Sequence, residues 1–200
     1  VICQIAAESV GLTEGKDLAG EARDDLDVLV QVQPEACFAI DEAGLDAVLV
    51  WGAAMRSVMM AGALEEALAA TVGYALERKQ FGKAIAKFQA IQQQLAIFAT
   101  HVAASTRAAE TLMVQGEVAS IDVAIAKARI GEAAGICAEI AHQVHGAIGY
   151  TRDHRLNHLT RRLWAWRDAF GHEAYWQERL GRAMLADEAG DLWQQVTALG

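Results

Sequence analysis

The sequence predicts a mainly α protein: an antiparallel four-helix bundle preceded by the remnant of a β-domain. Three observations carry this. Proline occurs once in 200 residues, and the 54% apolar fraction is dominated by alanine and leucine, which favour helices. Apolar residues recur at three- and four-residue spacing through long stretches beyond Asp46. The first forty residues differ in kind, with alternating apolar positions and scattered glycines.

In that first part, Leu26, Val28, Val30 and Val32 alternate with polar or acidic neighbours, the signature of a half-buried strand over 26–33. Residues 1–5 could form another, with Gly11, Gly15 and Gly20 in the turn-rich stretch between. Two strands cannot cover their own apolar face. The chain also opens at Val1 rather than methionine. Residues 1–40 are therefore expected to be the tail of a β-domain whose earlier strands are missing, and 41–200 a helical bundle domain.

Helices are expected over 46–79, 84–115, 121–145, 153–169 and 172–186, with a short one over 191–199. Ser120 offers itself as an N-cap for the third. Leu95, Phe98 and Val102, and Ile136, Ile140 and Val144, give two of these segments a buried stripe. Short connections imply antiparallel neighbours, hence an up-down bundle.

Composition narrows the function. The formal charge of −9 is confined to residues 1–50, which hold 11 acids and 2 bases, while residues 51–200 hold 15 of each. No basic face for nucleic acid is implied, and the acidic start reads as a solvated surface. The longest apolar run, Ala47 to Met55, is too short to span a bilayer and ends at Arg56, so no membrane insertion is expected. Neither a signal-peptide pattern nor a CxxC pair is present. Cys3, Cys37 and Cys137 lie far apart in sequence and read as reduced thiols of a cytoplasmic protein.

A di-iron bundle needs two Glu-x-x-His motifs, and this chain has a single one, Glu139 to His142. Histidines 142, 145, 154 and 158 have ligand-like spacing but straddle a glycine-rich turn, so no metal is expected. Two other stretches are more informative. Arg78-Lys79-Gln80-Phe81-Gly82 interrupts the helical pattern and places a guanidinium fork beside an amide and a phenyl ring. Capping alone explains cations followed by glycine, with Phe81 in the core. A dinucleotide pyrophosphate site would use the same residues for bidentate phosphate contact and stacking. Gln143-Val144-His145-Gly146-Ala147-Ile148-Gly149-Tyr150-Thr151 is the second stretch. Its small residues leave backbone N–H groups open to a flat or anionic group, although glycines also terminate helices.

Together, the Arg-Lys-Gln-Phe-Gly stretch, the following Phe88-Gln89 and the Gln-x-His-Gly-x-x-Gly-Tyr-Thr turn resemble the C-terminal domain of acyl-CoA dehydrogenases. The similarity covers roughly residues 15–186, with Leu18 to Glu21 resembling the end of that family's middle β-domain. It is closest to actinobacterial-type members whose turn resembles Gly149 to His154 with a later Arg161-Arg162, several of which act on sterol side-chain or other bulky acyl-CoA thioesters. The resemblance implies α,β-dehydrogenation of an acyl-CoA substrate by a tetramer with FAD at a subunit interface. Carried over, Arg78 and Gln80 would contact the FAD diphosphate and Phe81 would pack near the adenine. Phe88 and Gln89 would lie at the adenosine end, with Gln143 and the backbone of Val144, His145, Gly146 and Ala147 as a third contact. Ala147 replaces the usual second glycine.

The resemblance breaks at the catalytic base. Most members place a glutamate immediately before a glycine about twenty residues past the Gly-Tyr pair, and here that position is Phe170, before Gly171. A second subset places it on the first long helix, here about Gly52, with no acid between Asp46 and Glu65. Glu173, three residues beyond Phe170 and nearly one helical turn on, is the better stand-in, whereas Asp168 would point away. Either the base comes from a different chain of a heterotetramer, which the loss of both positions favours, or a homotetramer uses a displaced base or a changed chemistry. A third possibility is a non-catalytic helical scaffold that no longer binds flavin.

Overall fold

The protein is described here by a computed structural model covering residues 1–114 and 119–186. The short helix expected over 191–199 lies outside the described residues.

Five helices make up the bundle: α1 (Glu42–Glu77), α2 (Gln89–Val114), α3 (Ser120–His145), α4 (Arg155–Asp168) and α5 (Glu173–Ala186). The antiparallel bundle predicted from the periodicity is present. Helix α3 packs on all four others, and α1 packs on α2, α3 and α4. Consecutive α4 and α5 share the fourth position, bent at Ala169 to His172. The core is built from small and medium residues, including Ala53, Met60, Leu64, Phe98, Ile130, Ala134 and Leu163. Alanines at Ala53, Ala133, Ala134 and Ala141, each fully buried, let the helices approach closely.

Helix α1 starts four residues earlier than the periodicity suggests, because Asp41 caps it: its carboxylate accepts from Gly44 N at 2.8 Å. By length and composition α1 is long and apolar enough to cross a bilayer, and 44% of its most apolar window is buried inside the fold. At α3 the expected cap is not used. The N-cap is Ala119 without a side-chain bond, and Ser120, the first helical residue, accepts from the Arg179 guanidinium at 2.8 Å. Arg179 also pairs with Asp46, so this hydroxyl joins a cross-helix cluster instead of its own backbone.

Before α1 lie short strands β1 (Ile2–Cys3), β2 (Gly11–Thr13), β3 (Asp25–Asp27) and β4 (Cys37–Phe38), paired antiparallel as β1–β4 and β2–β3. The strand predicted over 26–33 is thus cut to Asp25–Asp27, with Leu26 63% and Leu29 95% exposed. Alternation defines an apolar face of Leu26, Val28, Val30 and Val32; among the described residues its second half is half-buried, while Leu26 and Val28 stay exposed. The segment is nonetheless anchored. Glu21 accepts from Trp166 Nε1 at 2.9 Å and pairs with Arg162 at 3.3 Å, while Arg161 donates to Leu18 O.

Candidate functional site

The chain leaves α1 at Glu77 and enters a tight hairpin of β5 (Lys79–Gln80) and β6 (Lys83–Ala84), whose two-residue loop is Phe81-Gly82. Both loop residues have positive φ, 50° and 77°, as a type I′ turn requires. Gly82 is therefore a hairpin glycine and not the helix-capping glycine that the sequence alone allows. A phenylalanine in the left-handed region is unfavourable, and the usual occupant is Asn or Gly. Nor is Phe81 in the core: it is 90% exposed, meeting only the edge of Phe88 at 6.1 Å. Local strain here serves to project an aromatic ring outward.

At the same end of the bundle α3 stops at Gly146, whose φ of 65° lies in the glycine-favoring region and whose missing Cβ faces open space. In the following 3-10 turn, Gly146–Tyr150, a Cβ built on Gly149 would stand 3.0–3.2 Å from His145, Leu156 and His142, so a side chain there would have to displace them. Gly146 thus keeps a surface open, whereas Gly149 closes a packed one.

The hairpin and the turn enclose one cleft of about 570 Å³. It is lined by Arg78, Gln80, Phe81, Phe88, Gln143, Val144, His145, Gly146 and Ala147, with Tyr74, Ile85, Ala90 and Ile91. Every sequence-predicted binding residue except Gln89 lines it; Gln89 is the exposed first residue of α2 beside Phe88. Residues 65 positions apart in the chain, Arg78 and Gln143, meet here because α1 ends beside the end of α3. Among the described residues Arg78 has no ion-pair partner, so its guanidinium is available to an anion.

The wall of the cleft is aromatic. Tyr74 stacks on His145 at 4.4 Å, and His145 meets His154 edge-on at 5.1 Å. Burial pushes the His145 pKa below its ordinary value despite a 2.8 Å bond to Ala141 O. That carbonyl fixes the proton on Nδ1 and leaves Nε2 bare. Of the histidines considered as metal ligands, His142 bonds Thr160 Oγ1 through Nε2 at 2.9 Å, and His154 Nδ1 accepts from Leu156 N at 3.2 Å.

The two base positions, 118 residues apart in sequence, meet in space at the far end of α1. A Cβ built on Gly52 would stand 2.3 Å from the Phe170 ring, so the ring lies directly over this glycine. Phe170 has a φ of 56° and Gly171 one of 91°. A Cβ at Gly171 would also press on Tyr175 and Trp176 at 2.8–2.9 Å, which explains the glycine. Asp168 ends α4 with its side chain exposed. Glu173 is not a free carboxylate: Arg167 grips it with two N–H groups, one at 2.7 Å, and this bond holds its pKa at about 2. At neutral pH it is a weak base locked to a cation. A Cβ built on Gly131 of α3 would stand 3.2 Å from the Glu173 side chain, so the glycine leaves it room.

One residue here escaped sequence reasoning. Lys127 is fully buried on α3, and its Nζ donates to Arg167 O and Gly171 O, each at 2.6 Å. Trp176 Nε1 donates to Phe170 O at 3.0 Å. Three carbonyls of the α4–α5 turn are thereby held. Burial pushes the Lys127 pKa down to about 8. Its only sequence signal was a lysine inside an otherwise small and apolar stretch, Val123 to Ala128.

The family described as "Acyl-CoA dehydrogenase, C-terminal domain" matches residues 45–185. Caffeyl-CoA reductase-Etf complex subunit CarC of Acetobacterium woodii is 39% identical over 117 residues, 55% of this chain and 29% of that protein. Glutaryl-CoA dehydrogenase of Desulfococcus multivorans is 36% identical over 97 residues, 46% of this chain and 25% of that protein. Among solved structures, the ChsE4-ChsE5 complex of Mycobacterium tuberculosis superposes with a TM-score of 0.78 at 25% identity, covering 91% of this chain and 50% of that one. The chain therefore spans under a third of the length of these curated relatives and half of the solved chain. The profile match over most of the bundle, together with the superposition, places this chain in the acyl-CoA dehydrogenase family, whose C-terminal helical domain it carries.

Proposed function

We propose that this chain is the C-terminal part of an FAD-dependent acyl-CoA oxidoreductase, and that its cleft receives the diphosphate and adenosine end of an FAD gripped mainly by a neighbouring subunit. Residues 1–40 are then the tail of that enzyme's middle β-domain. The observation that carries this reading is the cleft itself, which gathers an available guanidinium, an exposed amide, an outward phenyl ring and an open glycine backbone. Those groups suit an anionic diphosphate attached to a flat base. Arg78 would form the bidentate phosphate contact, Gln80 a hydrogen bond beside it, and Phe81 the stacking surface. A neutral His145 keeps a bare acceptor nitrogen, which suits a donor group of the adenosine and leaves the diphosphate to Arg78.

The distance between the two ends of α1 supports a neighbour's cofactor. From Gly52 to Glu77 the helix runs about 37 Å, farther than an extended dinucleotide reaches. One FAD lying in this cleft cannot also serve the Gly52–Phe170 end of the same chain. When bound, FAD supplies the hydride acceptor for the β-carbon of an acyl-CoA thioester, and the reductases among the relatives run the same C–C bond chemistry towards saturation. Either direction needs a proton carrier at the α-carbon. Here a phenyl ring over a glycine fills both positions the family uses, and Glu173 is tied to Arg167. We infer that the base comes from a different chain of a heterotetramer.

The experiment is co-expression of the full-length protein with its candidate partner, followed by flavin absorbance and acyl-CoA oxidation assays with and without that partner. Yellow protein that turns over only with the partner is expected. Assembled protein free of flavin would favour the helical-scaffold alternative and sink the cofactor reading. Turnover by the isolated homo-oligomer would sink the supplied-base reading alone.

A further inference from the structure

The three cysteines look unrelated in sequence, yet two of them face each other. Cys3 of β1 and Cys37 of β4 are direct cross-strand partners, with Sγ atoms 3.4 Å apart. Gln4 N donates to Ala36 O at 2.9 Å, so the flanking pair is the hydrogen-bonded one and the cysteines occupy the non-hydrogen-bonded site. Side chains are closest at such sites, with Cα atoms about 4.5 Å apart, inside the span a disulfide bridges. Among the described residues Cys3 is exposed and Cys37 half-buried, which leaves the pair open to a dissolved oxidant. Cys137 is fully buried on α3 and makes an internal control.

We propose that Cys3 and Cys37 form a reversible dithiol–disulfide pair, oxidised by a low-molecular-weight disulfide such as oxidised glutathione. The more exposed Cys3 thiolate attacks one sulfur of the oxidant, forming a mixed disulfide and releasing one glutathione thiolate. Cys37, deprotonated, then attacks the Cys3 sulfur and releases the second. Two protein thiols are oxidised, one disulfide reagent is reduced to two thiols, and the two protein protons end on glutathione. The Cys37 thiol shares a hydrogen bond with Cys3, which raises its pKa and makes it the poorer first nucleophile; that bond is gone once Cys3 is in the mixed disulfide, and Cys37 then attacks as the neighbouring thiolate.

The bridge closes a loop containing Glu21, which contacts Arg56, Arg162 and Trp166 next to Phe170. It also lies four residues before Asp41, the cap of α1. Oxidation would therefore tie the β-segment to the start of the longest helix and restrict the loop that docks beside the base-position turn.

The test is incubation of the full-length protein in glutathione buffers from fully reduced to fully oxidised, then acid quenching and a non-reducing peptide map by mass spectrometry. The expected product is a single Cys3–Cys37 linked peptide pair, lighter by two hydrogens, restored by dithiothreitol, with Cys137 unmodified. Cys3→Ser should leave glutathione attached to Cys37 with no further step. Separate mixed disulfides on Cys3 and Cys37 in the parent protein would overturn the proposal. So would free thiols at both positions in the fully oxidised buffer.

Discussion

Arg78 and Phe81 bear most of what the cleft can do, and each does so at odds with local comfort. Arg78 lies just beyond α1 without a partner among the described residues, and Phe81 holds a left-handed backbone to present its ring. Arg78→Ala should weaken FAD retention roughly 10- to 100-fold, the worth of a lost charge-assisted hydrogen bond, measured by flavin release on dilution. Arg78→Lys should recover only part, since an ammonium cannot make the bidentate contact. Glu173 gives a second expectation. Its pKa lies at about 2 when folded, against an ordinary value of 4.5, so the pair with Arg167 stabilises the fold above pH 4.5. That contribution is lost as pH falls towards 2, on the order of 1–2 kcal/mol. Glu173→Gln should flatten this acid limb in denaturation curves, with the difference from the parent shrinking below pH 4.5 and nearly gone at pH 2 and below.

At the scale of elements, the turn between α4 and α5 is held from three sides by Lys127, Trp176 and the ring-on-glycine contact. Lys127→Met preserves length but orphans Arg167 O and Gly171 O, and should cost about 2–4 kcal/mol, read as a drop in the urea midpoint. Gly52→Ala drives a methyl into the Phe170 ring. Because that ring is 42% exposed and can swing aside, the cost should be near 1 kcal/mol. Gly52→Ala combined with Phe170→Ala should be less destabilised than the sum of the single changes, and strict additivity would mean the contact carries no strain. None of this was legible in the chain. Lys127 and its acceptors are 40 and 44 residues apart, and nothing local to a lysine names the carbonyls it will meet.

For the whole molecule, an apolar groove remains between α1 and α2, lined by Trp51, Met55, Val58, Met59, Leu112 and Met113. Met55 is 64% and Met113 72% exposed. Together with the reach of the cleft towards another subunit, this groove fits burial in the proposed tetramer. Met55→Glu should shift the assembled protein towards smaller species in light scattering coupled to size exclusion, with helicity unchanged by circular dichroism. A tetramer indifferent to this charge would place the groove outside the interface.

The sequence by itself determined the main helical segments, the bundle, the membership suggested by paired motifs, and nine of the thirteen residues that line the cleft. Periodicity reports which face of a helix is buried, and motif residues keep their identity wherever they are placed. It also revealed that Phe170 and Gly52 lack a carboxylate. Only the tertiary structure decided that these two positions are one site, that Glu173 is bound to Arg167, that Gly82 closes a hairpin, and that Cys3 faces Cys37. Each of these depends on contacts between residues remote in the chain or on backbone angles, and one-dimensional spacing encodes neither. The strand expected over 26–33 failed for the same reason: alternation supplies a face, whereas pairing and covering must come from other segments.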